Sequence, residues 1–79
     1  MKYENDERLA RLDKISRAHL PALWQAIDAA GRAKRMGKLK EAEAALDKAD
    51  KIIRHLDGSI DYVIHAQQLL DLERIHLPL

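Results

Sequence analysis

The side chains best suited to chemistry in this sequence are four histidines, which are His19, His55, His65 and His76. Asp61 lies four positions before His65, so in a helix the two side chains could share a proton or hold a metal ion weakly. A zinc site needs three or four ligands, and the chain has no cysteine. We therefore predict no metal site and interpret His65 as a surface or interface histidine beside an acid.

Motifs for covalent or phosphate chemistry are missing from the sequence. It contains no glycine-rich phosphate loop, no G-x-S-x-G turn and no cysteine nucleophile. Ser16 falls inside a predicted helix, where a hydroxyl usually bonds to the preceding turn. Ser59 follows a glycine and is expected to cap a helix. We predict that the protein is not an enzyme and binds no cofactor.

One segment has a marked charge asymmetry. Between Ala30 and Glu41 there are five basic residues and no acidic one: Arg32, Lys34, Arg35, Lys38 and Lys40. Such a turn could contact phosphates of a nucleic acid. Positive charge at the end of a helix is also favourable in itself, because it offsets the helix dipole. No helix with base-reading residues follows, so nucleic-acid binding is the alternative rather than the preferred interpretation.

Composition limits the protein class. With 79 residues the chain has enough apolar surface for one domain, residues 1–79, and we expect a short, complete product. Charged residues make up 34% of the chain, yet the net charge is +1, which argues against disorder and against a general polyanion binder. No signal-like or membrane-spanning apolar run is present, so we expect a cytoplasmic protein.

Glycine positions and apolar spacing predict the second and third helices. Gly37 and Gly58 fall where helices should stop, and each is expected to adopt the left-handed conformation of a C-terminal cap. Between them, apolar residues recur every three or four positions: Leu39, Ala42, Leu46, Ala49, Ile53 and Leu56. This pattern predicts a helix over about 38–57, followed by a helix over about 59–76.

Pro21 complicates the region before Gly37. Apolar residues keep an approximately helical phase from Leu9 to Ala30, which favours a long helix over about 5–36. Proline inside a helix costs about 3 kcal/mol, so the helix should either kink or break there. His19 and Leu20 are poor capping residues, and we therefore favour a kink. The predicted fold is all-α, a three-helix up-down-up bundle.

Part of this pattern resembles a known repeat family. Gly37, Leu39 and Ala42, followed by Leu46 and Ala49, are similar to the middle of a tetratricopeptide repeat. The resemblance covers only residues 37–49, and the preceding helix does not follow the family pattern. Such repeats need about three units for stability, and no second copy is present. We interpret the likeness as convergent helix packing and transfer no binding residues from it.

The last predicted helix is apolar on two sides. One stripe contains Ile60, Val63, Ile64 and Leu70, and it is sufficient for packing a small bundle. The second stripe is Tyr62, His65, Leu69, Leu72 and His76. Tyrosine and histidine need polar partners when buried, which suits an interface better than a dry core. We predict a surface for self-association or a protein partner here, although a doubly buried helix would produce the same pattern.

These observations lead to one functional expectation and one alternative. We expect a small, non-catalytic interaction protein that associates with itself and regulates or inhibits a larger partner by binding its surface. The alternative is a nucleic-acid-binding accessory factor that uses the basic turn from Arg32 to Lys40.

Overall fold

Four α-helices make up the computed structural model, which describes residues 2–75 and the side chains of residues 6–75. They are α1 (Lys2–His19), α2 (Pro21–Arg35), α3 (Leu39–Ile53) and α4 (Asp61–Ile75). No strand occurs in this part of the chain. The all-α class is confirmed, and the prediction of three helices is wrong.

The difference arises at Leu20, where the predicted kink is a complete break. Leu20 has φ −127° and ψ 55°, outside the helical region, and makes no side-chain cap. Proline at the first position of a helix needs no N–H partner and already has a helical φ. Pro21 therefore begins α2 without the capping residue that we expected a new helix to require.

Contacts across the break show that the chain folds back. Arg17 Nη1 lies 3.1 Å from Asp28 Oδ2. In a continuous helix these residues would be separated by about 16 Å along the axis. Helix α1 consequently packs mainly on α4, makes a smaller contact with α2 and has no contact with α3 among the described residues.

The turn after α2 has the predicted form. Gly37 has φ 75°, which is the left-handed conformation. Its N–H donates to the Lys34 carbonyl, and the Lys38 N–H donates to the Ala33 carbonyl over 2.8 Å. This pair of bonds is a Schellman motif, and it satisfies carbonyls that the end of α2 would leave free. The prediction for Gly37 is confirmed.

The turn between α3 and α4 differs from the prediction. Gly58 does not have a positive φ. The Asp57 carboxylate instead accepts hydrogen bonds from the Ser59 N–H and hydroxyl, at 2.9 and 2.7 Å. The Ser59 side chain is therefore bonded to the preceding turn. Helix α3 ends at Ile53 rather than at residue 57, and α4 begins at Asp61 rather than at residue 59.

The core lies between α2, α3 and α4, and α2 and α3 share the largest contact between helices. The predicted α3 pattern supplies it with Ala42, Leu46, Ala49 and Ile53, which are buried, whereas Leu39 is exposed. Two alanines on this face have no exposed surface, which allows close approach of the neighbouring helix. None of the helices in the described part of the chain is long and apolar enough to cross a membrane.

Candidate interaction surfaces

Helix α1 covers part of the stripe that the sequence predicts as an interface. Tyr62 is half-buried, and its ring stacks on His19 of α1 with 5.2 Å between centroids. His65 is buried, and Leu69 is half-buried against the core. Leu72 is 49% exposed. His76 lies outside the described residues. Within the stripe, Leu72 is therefore the described side chain with the most surface available to another protein.

His65 contacts a different acid from the one suggested by the sequence. Its Nε2 lies 3.3 Å from Asp13 Oδ1 of α1. An ionised carboxylate can only accept, so Nε2 carries the proton and donates it. His65 Nδ1 is buried and has no hydrogen-bond partner in the described part of the chain. The Trp24 ring is tilted against the imidazole, with 6.0 Å between centroids. Asp61, the expected partner, lies at the rim of a surface groove.

Ser16 also has a role that the sequence does not predict. It is fully buried, and its Oγ accepts a hydrogen bond from the Trp24 indole N–H. We expected the hydroxyl to bond to its own helix, but it lies at the contact of α1 with α2. This bond satisfies a buried donor that has no other partner among the described residues.

Arg17 of α1 makes three side-chain contacts, two of which reach α2. Its guanidinium donates to Asp13 over 2.9 Å and to Asp28 over 3.1 Å, and it lies 4.2 Å from the Trp24 ring centroid. Burial raises the pKa of Asp13, but hydrogen bonds from Arg17 and His65 outweigh it, so the pKa lies below its ordinary value of 3.8. The hydrogen bond to Asp13 raises the pKa of Arg17. These charged groups link α1 to α2 through Asp28 and to α4 through His65.

The basic residues around Gly37 do not act as one group. Lys34 is half-buried, and its Nζ lies 2.7 Å from Glu73 Oε2 of α4. Arg32 and Arg35 are exposed and line a groove between α2 and α4. Lys38 and Lys40 are exposed at the start of α3. The structure thus assigns one of the five side chains to a contact between helices and leaves four at the surface.

A surface groove of about 350 Å³ lies along the contact between α1 and α4. Leu9, Leu12 and Ile64 provide its apolar lining, while Arg8 and Asp61 lie at its rim. Neither rim charge has an ion-pair partner among residues 6–75. We call this surface the α1–α4 groove.

A second groove, of about 160 Å³, lies on the other side of Ile64. Ile53 and Val63 contribute to its lining, and Ile64 and Gln68 border both this groove and the α1–α4 groove. Ile64 and Gln68, one turn apart, therefore form a ridge with a depression on each side. We call these two residues the Ile64 ridge. The sequence placed Ile64 in the packing stripe, whereas the structure leaves it 39% exposed.

The third groove, of about 340 Å³, lies between α2 and α4. Trp24, Ile27 and Leu69 provide its apolar lining, and Gly31 contributes backbone. Its charged residues are Arg17, Asp28, Arg32, Arg35 and Glu73. We call it the arginine groove. Arg32 and Arg35 of the predicted basic turn line this groove together with Gly31, and only the fold brings them beside Leu69 and Glu73 of α4.

No cluster of three or more potential metal ligands occurs among the described histidine, aspartate and glutamate residues. Comparison of the chain with known protein families, curated proteins and solved structures finds no match in any of the three. The arguments for function therefore depend on the surfaces themselves.

Proposed function

We propose that this protein is a small, non-catalytic interaction protein of the cytoplasm, which self-associates and regulates a larger partner by covering part of its surface. The proposal is carried by the uneven distribution of exposed large apolar side chains. Residues 6–75 include seven exposed large apolar side chains, and five of them lie on α1 and α4: Leu9, Ile15, Ile64, Leu72 and Ile75. Apolar surface concentrated on one pair of helices is typical of a protein interface.

A second copy of the chain suits this surface because of its shape. Helices pack by fitting the ridge of one into the groove of another. The Ile64 ridge has a groove on each side. In a two-fold dimer, the ridge of each copy would lie in a groove of the other, so one surface supplies both halves of the interface.

Charge at the α1–α4 groove supports the same arrangement. Arg8 comes from α1 and Asp61 from α4, and neither is paired within the described residues. A two-fold axis through the groove would bring Arg8 of each copy towards Asp61 of the other. Opposite charges around an apolar centre favour one orientation over others.

Self-association also offers stability to a chain of this size. A single core of fewer than about 80 residues supplies roughly 3–5 kcal/mol. Covering the exposed Ile64, Leu72 and Ile75 side chains would add apolar burial to that core. A dimer also displays each remaining surface twice, which strengthens binding to a larger partner with two matching sites.

The experiment is a measurement of mass in solution by sedimentation equilibrium. We expect the wild-type chain to have twice its 9.0 kDa monomer mass. Ile64→Glu and Leu72→Glu should reduce the mass to that of a monomer while circular dichroism retains the helical signal. Met36→Glu is the matched control, since Met36 is 66% exposed at the α2–α3 turn and outside this surface.

Two results of the mass measurement would contradict the proposal. One is a wild-type protein that stays monomeric over the whole concentration range. The other is an oligomer that Met36→Glu disrupts as strongly as Ile64→Glu does. Loss of helicity in both Ile64→Glu and Leu72→Glu would also contradict it, because that result would assign the two side chains to the core.

A further inference from the structure

The arginine groove between α2 and α4 combines exposed arginine side chains with an apolar floor. Arg17 pairs with Asp28 at 3.1 Å, and Lys34 pairs with Glu73 at 2.7 Å. Both carboxylates in the groove thus already have a cation. Arg32 and Arg35 have no ion-pair partner among the described residues. A guanidinium group binds a carboxylate through two parallel hydrogen bonds, so these two side chains suit an acidic ligand.

The floor of the groove is apolar and rigid. Trp24 and Ile27 belong to the core, and Leu69 packs against it from α4. The Trp24 ring is fixed by its bond to Ser16 and by the Arg17 guanidinium 4.2 Å from its centroid. Trp24 and Ile27 are 3% and 4% exposed, so an aliphatic side chain of a ligand would contact mainly the half-buried Leu69, beside the two free arginines. The combination selects a ligand that is acidic on one side and apolar on the other.

Gly31 keeps the floor open. It is buried inside α2, where glycine costs about 1 kcal/mol relative to alanine. A Cβ at this position would lie 3.3 Å from Arg35 Nη1 and 3.7 Å from Glu73 Oε1. Both atoms are ends of flexible side chains, which can shift to admit a methyl group. We therefore expect the fold to tolerate alanine at this position. The methyl group would displace the Arg35 guanidinium and occupy space above the floor.

We propose that the arginine groove binds an acidic amphipathic segment of a protein partner. Carboxylates of that segment pair with Arg32 and Arg35, and its aliphatic side chains contact Leu69 at the edge of the floor that Trp24 and Ile27 form. Two free arginines offer few contacts to the closely spaced phosphates of a nucleic acid, and the apolar floor offers those phosphates no partner. This inference rests on the proposed function, since it names the chemistry of the larger partner.

Trp24 provides the readout, because it is the only tryptophan in the chain and lines the groove. The probe is a synthetic helical peptide with leucine on one face and glutamate on the other. Its counterpart carries lysine in place of every glutamate. We expect the acidic peptide to change Trp24 fluorescence saturably, and the basic peptide to have no effect.

Variants then test the assigned residues. Arg32→Ala and Arg35→Ala should each weaken acidic-peptide binding about tenfold, the loss expected for one charge-assisted contact. Lys40→Ala is the matched control, since Lys40 is exposed and lies outside the groove, and its binding should equal that of the wild type. Gly31→Ala should fold with equal or higher thermal stability and still bind the acidic peptide more weakly. If Gly31 had only a structural role, Gly31→Ala would not weaken peptide binding while thermal stability stays equal or rises.

Three results would overturn the inference: no binding of the acidic peptide, equal binding of both peptides, or unchanged affinity in Arg32→Ala and Arg35→Ala. An RNA hairpin or DNA duplex that binds more tightly than the peptide, and depends on the same arginines, would assign the groove to nucleic acid instead. The titration is repeated with Ile64→Glu. This variant should be monomeric and should still bind the acidic peptide. Peptide binding therefore tests the arginine groove, and the mass in solution tests self-association, so each proposal can fail without the other.

Discussion

His65 Nε2 lies 3.3 Å from Asp13 Oδ1, and this contact joins residues 52 positions apart in the chain. It fixes α1 over α4 at the centre of the stripe that the sequence predicts as an interface. The imidazole is buried, whereas the Asp13 carboxylate is partly open to solvent and also receives Arg17. The attachment of α1 therefore depends on a carboxylate that acid can neutralise.

Asp13 should make the stability of the fold sensitive to acid. Its pKa in the folded protein lies below 3.8, so its stabilising contribution is complete above that ordinary value and is lost as pH falls through the lower folded value. Asp13→Asn should reduce the unfolding free energy at neutral pH by up to about 1 kcal/mol, because the pair is partly exposed. The unfolding free energy, measured with urea, should fall less steeply between about pH 5 and pH 3 for this variant than for the wild type.

Asp47→Asn is the control for this experiment, since Asp47 is exposed and has no ion-pair partner among the described residues. It should keep the wild-type pH dependence. Parallel pH curves for Asp13→Asn and the wild type would show that the carboxylate does not stabilise the packing of α1.

Ser16→Ala should destabilise the protein through its effect on Trp24. The substitution removes the acceptor of the indole N–H and leaves a buried donor without a partner. Such a loss costs about 1–3 kcal/mol, measured by urea unfolding. Ser59→Ala is the comparison, because its hydroxyl bond to Asp57 is exposed and its loss should change stability by less than about 0.5 kcal/mol. Equal effects of the two substitutions would contradict the assigned role of Ser16.

Helix α3 and the turn before it could be predicted because their causes are local. Gly37 needs only its own positive φ, and the spacing of Ala42, Leu46 and Ala49 selects one helix face. The break at Leu20 could not be predicted from capping residues, because none precedes Pro21. Pro21 itself satisfies the start of α2, and contacts between separate helices then stabilise the bend.

The periodicity of apolar residues does not predict which face of α1 is buried. Leu9 and Ile15 belong to the apolar pattern that predicts the first helix, yet both are exposed, whereas Ser16 is fully buried. Contacts between helices explain this difference, because Ser16 accepts a hydrogen bond from Trp24 of α2 and Asp13 contacts His65 of α4. On α4 the predicted stripe includes the exposed Leu72. Ile64 and Ile75 are exposed as well, and the sequence does not predict this because it does not show that α1 covers Tyr62 and His65.

Two leucines of α4 should respond very differently to truncation. Leu70 has no exposed surface, so Leu70→Ala should cost about 2–5 kcal/mol through lost burial and a cavity. Leu72 is exposed, and Leu72→Ala should change the stability of the monomer by less than about 0.5 kcal/mol. Both are measured by chemical unfolding of the Ile64→Glu background, which removes any contribution from self-association. A large loss for Leu72→Ala would place that side chain in the core.

The two turn glycines offer a matched test of backbone conformation. Gly37 has φ 75°, where a Cβ strains the backbone by about 1–2 kcal/mol, although no neighbouring atom lies within 4 Å of it. Gly58 has the same open surroundings and no positive φ, so alanine there meets neither strain nor a clash. Gly37→Ala should therefore lower the unfolding free energy by about 1–2 kcal/mol, while Gly58→Ala should leave it unchanged or raise it, because the unfolded chain loses freedom. Thermal unfolding followed by circular dichroism measures both, and equal losses would mean that the turn between α3 and α4 also requires a left-handed residue.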